Sequence, residues 1–402
     1  MDIELEFDDA RAAVIASLTP LQTQPIALAD ALGRALAEPV NACWDLPPYP
    51  NAAMDGYALR SADLSEGRAL RVVDTLTAGR MAETTRLCDG ETVSIMTGAA
   101  IPEGVIAVVP QEWVVGDGSV ITLVKPVTPG QNIRRPGEDV KRDSPAVPAG
   151  IALDAASIAM LAQFGVMEPA VVRAPRLAVL TCGDELRQPP YRPGAAEVVD
   201  CNALAVCAAA RSLGALADVL PPVPDQHDAI QQALEQRLAG ADMLVVIAGA
   251  SHGVLDLATE MLEAIGIEWR FNCVNVRPGR PVAFGVLPDG RPVFSLPGNP
   301  VSALLLFDAL VRPAIAALSG IRHPLGDQFE AVLEEPLSGR VGRTRLVRIC
   351  LRFANGQWFA RSAGSQKSGL LSTSVNMDGI AIIDPEVGAL TEGDRVRVYR
   401  PI

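Results

Sequence analysis

The chain has 402 residues, 49% of them hydrophobic and 20% charged, with a formal net charge of -13. That length exceeds one ordinary hydrophobic core and predicts two to four domains of globular composition. The acidic balance argues against a nucleic-acid binder, whose footprint is basic. It also requires an anionic substrate to be met by a local cluster of Arg, Lys and backbone N–H groups. The N-terminus, MDIELEFDDARAAV, is acidic and amphipathic, unlike a basic segment followed by an apolar one, so no signal peptide is read. No apolar run is read as a bilayer span, and a cytoplasmic protein is expected. The seven cysteines form no CxxC pair and there are only three histidines, which argues against a zinc ribbon, a disulfide framework or a His-built metal site. Metal chemistry then falls to carboxylates and favours Mg²⁺ or a similar hard cation.

In chain order, residues 8–38 predict a short helix, a linker and a second helix ending near Gly33. From Pro47, Pro48 and Pro50 the character changes to short β-type runs such as LRVVDTL and ETVSIMTG punctuated by turn residues, predicting a β-rich domain over 46–139. Residues 140–173 return to a helix (Ala155–Phe164) and an extended stretch. They form an N-terminal domain with residues 1–45, so the β domain is an insertion. From 174 to 322 strands alternate with helices: LAVLTCG, Asn202–Leu213, ALADVLPPV, Asp228–Leu238, DMLVVIAG and Asp256–Ile265 in succession. Three more apolar runs and the long helix Val301–Leu318 follow. This is the pattern of a doubly wound, mostly parallel sheet. Residues 323–402 hold short strands and no long helix, a small β-barrel-like domain. The fold class is α/β plus β, multidomain.

Ligands of open α/β sheets bind where loops leave the carboxyl ends of the strands. Here those loops carry Gly183-Asp184-Glu185, Pro224-Asp225, the run Ala248 to Asp256 with Gly249, Ser251 and Gly253, Arg277-Pro278-Gly279-Arg280, and Pro297-Gly298-Asn299 with Ser302. Small residues let backbone N–H groups approach a ligand, and the helix starts after Ser251 and Asn299 favour anions. Glu185, Asp225 and Asp256 offer carboxylates for a hard cation; Arg277 and Arg280 offer fixed positive charge. Taken singly, a Gly-Asp-Glu is a turn with a helix-capping acid and the arginines are surface charges. Five such loops in one parallel-sheet unit point jointly to a site.

The motifs Met54-Asp55-Gly56-Tyr57-Ala58, Thr97-Gly98-Ala99, Gly137-Glu138-Asp139, Gly183-Asp184-Glu185-Leu186, Asp200 with Asn202, and Leu296-Pro297-Gly298-Asn299-Pro300-Val301-Ser302 occur in register over nearly the whole chain. In this order they resemble the MoeA proteins and the related E domain of gephyrin. The resemblance implies a molybdopterin molybdotransferase that takes adenylylated molybdopterin, releases AMP in a Mg²⁺-dependent step and inserts molybdate. It implies that Asp55, Asp139, Glu185, Asp225 and Asp256 are the site acids, with Glu185, Asp225 and Asp256 toward the metal and Thr97 and Arg134 beside them. It assigns the oxyanion to Arg277, Arg280, Ser302, Arg348 and Ser368. It further implies a homodimer whose cleft joins the α/β domain of one subunit to the insert of the other, and transient contacts with other molybdenum cofactor enzymes.

Departures from the family pattern are Ala248 before Gly249, His252, Ile106, Ala52, Cys182, and arginine in place of lysine at 277 and 280. Two alternatives follow. A divergent paralogue would bind molybdopterin or a partner protein, or insert tungstate, without the usual activity. A nucleotide-binding α/β enzyme outside the family lacks support, since no GxxxxGK[ST] occurs.

Overall fold

The computed structural model describes residues 3–80, 85–248 and 254–400, with backbone alone for 254–256. Helix α1, Phe7–Ala16, buries Phe7, Ala10, Arg11 and Val14, the i, i+3, i+4, i+7 face of an amphipathic helix. The second helix expected before Gly33 is a correction: only a single 3₁₀ turn, Leu28–Asp30, forms. Pro25 and the left-handed Gly33 (φ 74) leave too few residues for an α-helix. The backbone bonds outward instead, Gly33 N–H to the Leu153 carbonyl and Leu36 N–H to that of Ile151.

The chain divides into two compact units, one made of residues up to Glu38, Ala149–Ala155 and Glu168 onward, the other of Pro39–Pro148 and Ala156–Met167. The second unit holds strands β1 (Gly56–Arg60), β2 (Ala69–Leu76), β3 (Glu91–Ile95), β4 (Val105–Pro110), β5 (Val114–Gly116) and β6 (Val120–Leu123). They form one sheet in the order β4-β1-β3-β2-β6-β5. Helix α2, Ala155–Gln163, begins at the boundary.

The first unit contains β7 (Arg176–Cys182), α3 (Asn202–Ser212), β8 (Leu216–Ala217), α4 (His227–Leu238), β9 (Met243–Ala248), α5 (Val254–Ala264), β10 (Glu268–Phe271), β11 (Val276–Arg277), β12 (Ala283–Val286) and β13 (Pro292–Pro297). The sheet order is β8-β7-β9-β13-β12-β10; β8, β7, β9 and β13 pair in parallel, and β12 pairs antiparallel with both β13 and β10. All six residues of β9 are buried, as a parallel strand covered on both faces requires. Alternate residues serve opposite cores. Leu177, Val179, Met243 and Val245 pack with α1 and α3, whereas Leu180, Leu244 and Val246 pack with α4 and α5. The doubly wound sheet expected from the sequence is present.

Residues Pro300–Leu318 form a 19-residue helical run, as α6 (Pro300–Leu306), a π turn (Phe307–Val311) and α7 (Arg312–Leu318). By length and composition this run is long and apolar enough to cross a bilayer, which corrects the sequence reading. Its most apolar window is 83% buried, so its apolarity is that of a core helix. Finally β14 (Gln328–Leu333), β15 (Thr344–Ala354), β16 (Gln357–Ser362), β17 (Gly379–Ile383) and β18 (Arg395–Tyr399) close into a ring, β15-β16-β14-β18-β17 and back to β15. This is the C-terminal barrel, and β11 extends its sheet by pairing with β15.

Gly56 shows why its motif needs glycine. A Cβ there would stand 2.0 Å from the Val109 carbonyl oxygen on β4, so β1 and β4 could not keep their pairing. Gly56→Ala is expected to destabilise the insert by at least about 1–3 kcal/mol, the scale of an overpacked core, read as a lowered midpoint in denaturant unfolding.

Candidate active site

In the first unit the chain leaves β7 through α3 to β8 on one side, and α4 returns it to β9 on the other. The strand order therefore reverses between β7 and β9, the place where open α/β sheets bind ligands. A cavity of about 200 Å³ lies there, lined among others by Thr181, Cys182, Glu185, Asp200, Asn202 and Gly298. Asp200 accepts the Thr181 hydroxyl at 2.6 Å and the Ala203 N–H at 3.2 Å. Asn202 donates to the Gly298 carbonyl at 2.8 Å. The β7–α3 connection thus reaches across β9 and holds the loops after β7 and β13 on either side of it. Burial pushes the Cys182 thiol up to about 12, so it lines the cavity as an inert apolar group.

Beside the cavity, Asp225 donates its N–H to Asp184 at 3.1 Å. One Asp225 carboxylate oxygen is buried without a hydrogen-bond partner among the described residues. Burial holds the Asp225 carboxyl above the usual range, and the like charges of Asp184 and Glu185 push the same way. Among the described residues no three side chains form a ready metal cage. An orphaned carboxylate oxygen flanked by two further acids nevertheless fits a magnesium ion, which binds one or two carboxylates and keeps much of its water. Gly249, Ser251 and Gly253 lie outside the described residues. The backbone of Asp256 lies in α5, and its side chain is likewise outside them.

The basic residues occupy distinct places. Arg277, exposed on β11, sits opposite Arg345 in the β11–β15 register, and its charge adds to the burial that lowers the Arg345 pKa. Arg280 forms a two-pronged ion pair with Glu4 at 3.0 and 3.1 Å. Gly279, with φ 100, is required in the turn between them, because a Cβ would lie 2.4 Å from the Leu306 side chain. Arg348 is 1% exposed and donates to the carbonyls of Ser365 (2.8 Å) and Lys367 (3.2 Å), which brings it to the loop carrying Ser368. Its Nε and Nη1 are buried without partners among the described residues. Ser302 is buried in α6, and Asn299 precedes it with a buried side-chain oxygen that has no hydrogen-bond partner among the described residues. Pro297 ends β13.

In the second unit, Asp55 accepts both the backbone N–H and the hydroxyl of Thr97, each at 2.7 Å. These residues, 42 apart in sequence, are brought together by the β1–β3 pairing. Arg134 pairs with Asn51 across a two-residue ladder and points a guanidinium N–H at the Ala53 carbonyl, 3.5 Å away. With Leu46, Pro47, Glu138 and Asp139 it also lines a second cavity of about 390 Å³. The Gly137 and Asp139 N–H groups are anchored on the carbonyls of Pro47 and Leu46. Sequence reasoning left Thr181, Asp200, Asn202 and Glu138 out of the candidate site. Asp200 and Asn202 were readable as motif residues, but Thr181 is one more residue of an apolar strand.

Residues 5–165 match the profile of the MoeA N-terminal region (domain I and II), 178–317 that of a probable molybdopterin binding domain, and 330–400 that of the MoeA C-terminal region (domain IV). The chain is 33% identical over 398 residues to a molybdopterin molybdenumtransferase of Haemophilus influenzae, covering 98% of each. It is 30% identical over 388 residues to molybdopterin molybdenumtransferase 2 of Mycobacterium tuberculosis, covering 93% of this chain and 94% of that one. The crystal structure of the molybdopterin biosynthesis MoeA protein from Pyrococcus horikoshii OT3 matches with a TM-score of 0.82 and 26% identity, over 98% of this chain and 99% of that one.

The paired Thr97 donors, backbone N–H before hydroxyl, hold the Asp55 carboxyl below the usual range. Its charged form is therefore favoured by folding above the unfolded value of roughly 3.9, and that preference is lost as pH falls through the lower folded value. Thr97→Val removes one donor and should move the Asp55 midpoint part of the way back up in a carboxyl NMR titration. An unmoved midpoint would show that the hydroxyl does not act on Asp55.

Proposed function

The chain belongs to the MoeA family, and from that membership we propose that it is a molybdopterin molybdenumtransferase, inserting molybdenum into molybdopterin during molybdenum cofactor biosynthesis. The observation that carries this reading is the cavity at the sheet's switch point with the orphaned Asp225 oxygen at its side. An anionic pterin phosphate needs such a cation-ready acid cluster in an otherwise acidic protein. We read the chain as four domains, with limits at 45/46, 139/140, 173/174 and 322/323.

The substrate in this reading is adenylylated molybdopterin, and the adenylate leaves as AMP. Asp225, with Glu185 and Asp256, would hold Mg²⁺, which when bound neutralises phosphate oxygens and orients water. Asp184 fixes the Asp225 backbone, so the carboxylate meets the phosphate without reorganising. Asp55, kept ionised by Thr97, and Asp139 with Arg134 form the second set of polar groups, supplied by the insert. Arg348 offers the oxyanion two buried N–H directions that no group among the described residues uses, and Ser368 follows on the same loop. Arg277, Ser302 and Arg280 complete that pocket, Arg280 by exchanging Glu4 for molybdate. The Glu4 pair is half exposed on both sides, so the exchange costs little. We further read the enzyme as a cytoplasmic homodimer with a cleft composed of two subunits, passing its product to other molybdenum cofactor enzymes.

Incubating the purified protein with adenylylated molybdopterin, Mg²⁺ and molybdate should yield AMP and active cofactor. Asp225→Asn should lower AMP release at least about 100-fold, the scale of several kcal/mol of lost charge stabilisation, while the melting temperature holds. A wild-type rate in this variant would remove Asp225 from the site. Mixing Asp55→Asn with Asp225→Asn subunits should recover part of the lost activity, since each mixed dimer rebuilds one intact cleft. No recovery after verified subunit exchange would refute the two-subunit cleft.

A further inference from the structure

Asp200 plays no part in the reading above, yet its carboxylate is 4% exposed and lines the cavity at the switch point. No salt bridge reaches it among the described residues. The Arg237 guanidinium, on which the Asp200 charge acts, donates to the carbonyls of Val179 and Pro221 at 2.6 and 2.7 Å instead. A carboxylate has about four acceptor positions. Here Oδ2 takes the Thr181 hydroxyl and Oδ1 the Ala203 N–H, so among the described residues each oxygen retains one free lone pair. The rest of the lining is largely apolar, with Leu186, Val198, Ile247 and Pro300 around it. A slot with apolar walls and a fixed two-oxygen acceptor takes a flat heteroaromatic ring that presents two parallel N–H donors.

We propose that Asp200 is the specificity-determining residue of this cavity, accepting the two donors on the 2-amino-4-oxo edge of the pterin ring. This rests on the assignment of a pterin substrate above. The ring nitrogen N–H and the exocyclic amine each meet one oxygen of Asp200, and the ring faces lie against the apolar walls. Glu185, at the same cavity, stands toward Asp225, so the phosphate-bearing end of the substrate extends to the acid cluster. Thr181 and the start of α3 keep the carboxylate from rotating, making Thr181 a positioning residue. A ring with oxygen at position 2 loses the exocyclic donor and sets an oxygen against the carboxylate. Rejection of that ring is therefore built into the site.

The test uses the full-length protein and two stable probes, free pterin and its 2-oxo analogue lumazine, titrated by their own fluorescence. Wild type should bind pterin at least about tenfold tighter than lumazine, the scale of one charge-assisted hydrogen bond. Asp200→Asn should erase that preference by weakening pterin while leaving lumazine nearly unchanged. Thr181→Val, which keeps the carboxylate, should retain the preference with a smaller ratio. Equal affinities in wild type, no binding of pterin at millimolar concentration, or an undiminished preference in Asp200→Asn would each overturn the proposal. The wild-type ratio decides even if the variant does not fold. Cofactor formation by wild type is measured separately: activity without pterin selectivity sinks only the Asp200 assignment, whereas absence of activity counts against the transferase reading itself.

Discussion

Everything in the first unit depends on burying β9 on both faces. Six consecutive apolar residues, Met243–Ala248, leave neither side of the strand to water, so helices must cover both. Two parallel neighbours, β7 and β13, are reached only by crossovers, and the right-handed crossover rule fixes the side on which each helix lies. Once α3 and α4 occupy opposite faces, the loops above β7 and β9 must diverge. The gap they leave is the cavity. The site is therefore a consequence of strand order, and its chemistry comes from the few polar residues that the diverging loops carry.

Charge is handled by a similar economy. In a chain with net charge -13, several arginines are drawn inside. Arg237, Arg345 and Arg348 donate to backbone carbonyls, and burial lowers the pKa of each. A guanidinium's fixed fork suits this clamping better than an ammonium would. Arg345 and Arg348 lie three residues apart on β15, one bracing the loop before β15 and the loop after β17, the other the loop after β16. The same barrel strand thus carries two clamping arginines that, among the described residues, keep buried donors without partners, Nε of Arg345 and Nε and Nη1 of Arg348.

The fold was readable where patterns are local. The continuous run of β9 and the i, i+3, i+4, i+7 spacing of α4, with Ile230, Ala233, Leu234 and Arg237 buried, need no tertiary information. The segment from Thr23 to Leu36 was not readable, because its backbone partners lie near residues 151–172 and a distant ladder outcompetes weak helix propensity. The site divides in the same way. Motif residues such as Asp55, Asp139 and Glu185 stand out as acids among glycines, whereas the link of Asp55 to Thr97 and of Asp200 to Thr181 exists only once strands pair. Nor could a sequence reveal that Arg280 meets Glu4, since 276 residues separate them.

The closed C-terminal ring carries one more implication. Its strands pair all the way round, so it offers incoming chains no open ladder, except along the side where Val276 and Arg277 dock on β15. That side is occupied by a piece of the α/β domain's own polypeptide. Severing the two would uncover the peptide groups at Thr344 and Arg345, three residues along the chain from exposed Val341, a template for cross-strand aggregation. The tether therefore acts as a guard against misassembly: a nascent chain completes this domain safely because the segment that covers its vulnerable side has already been synthesised.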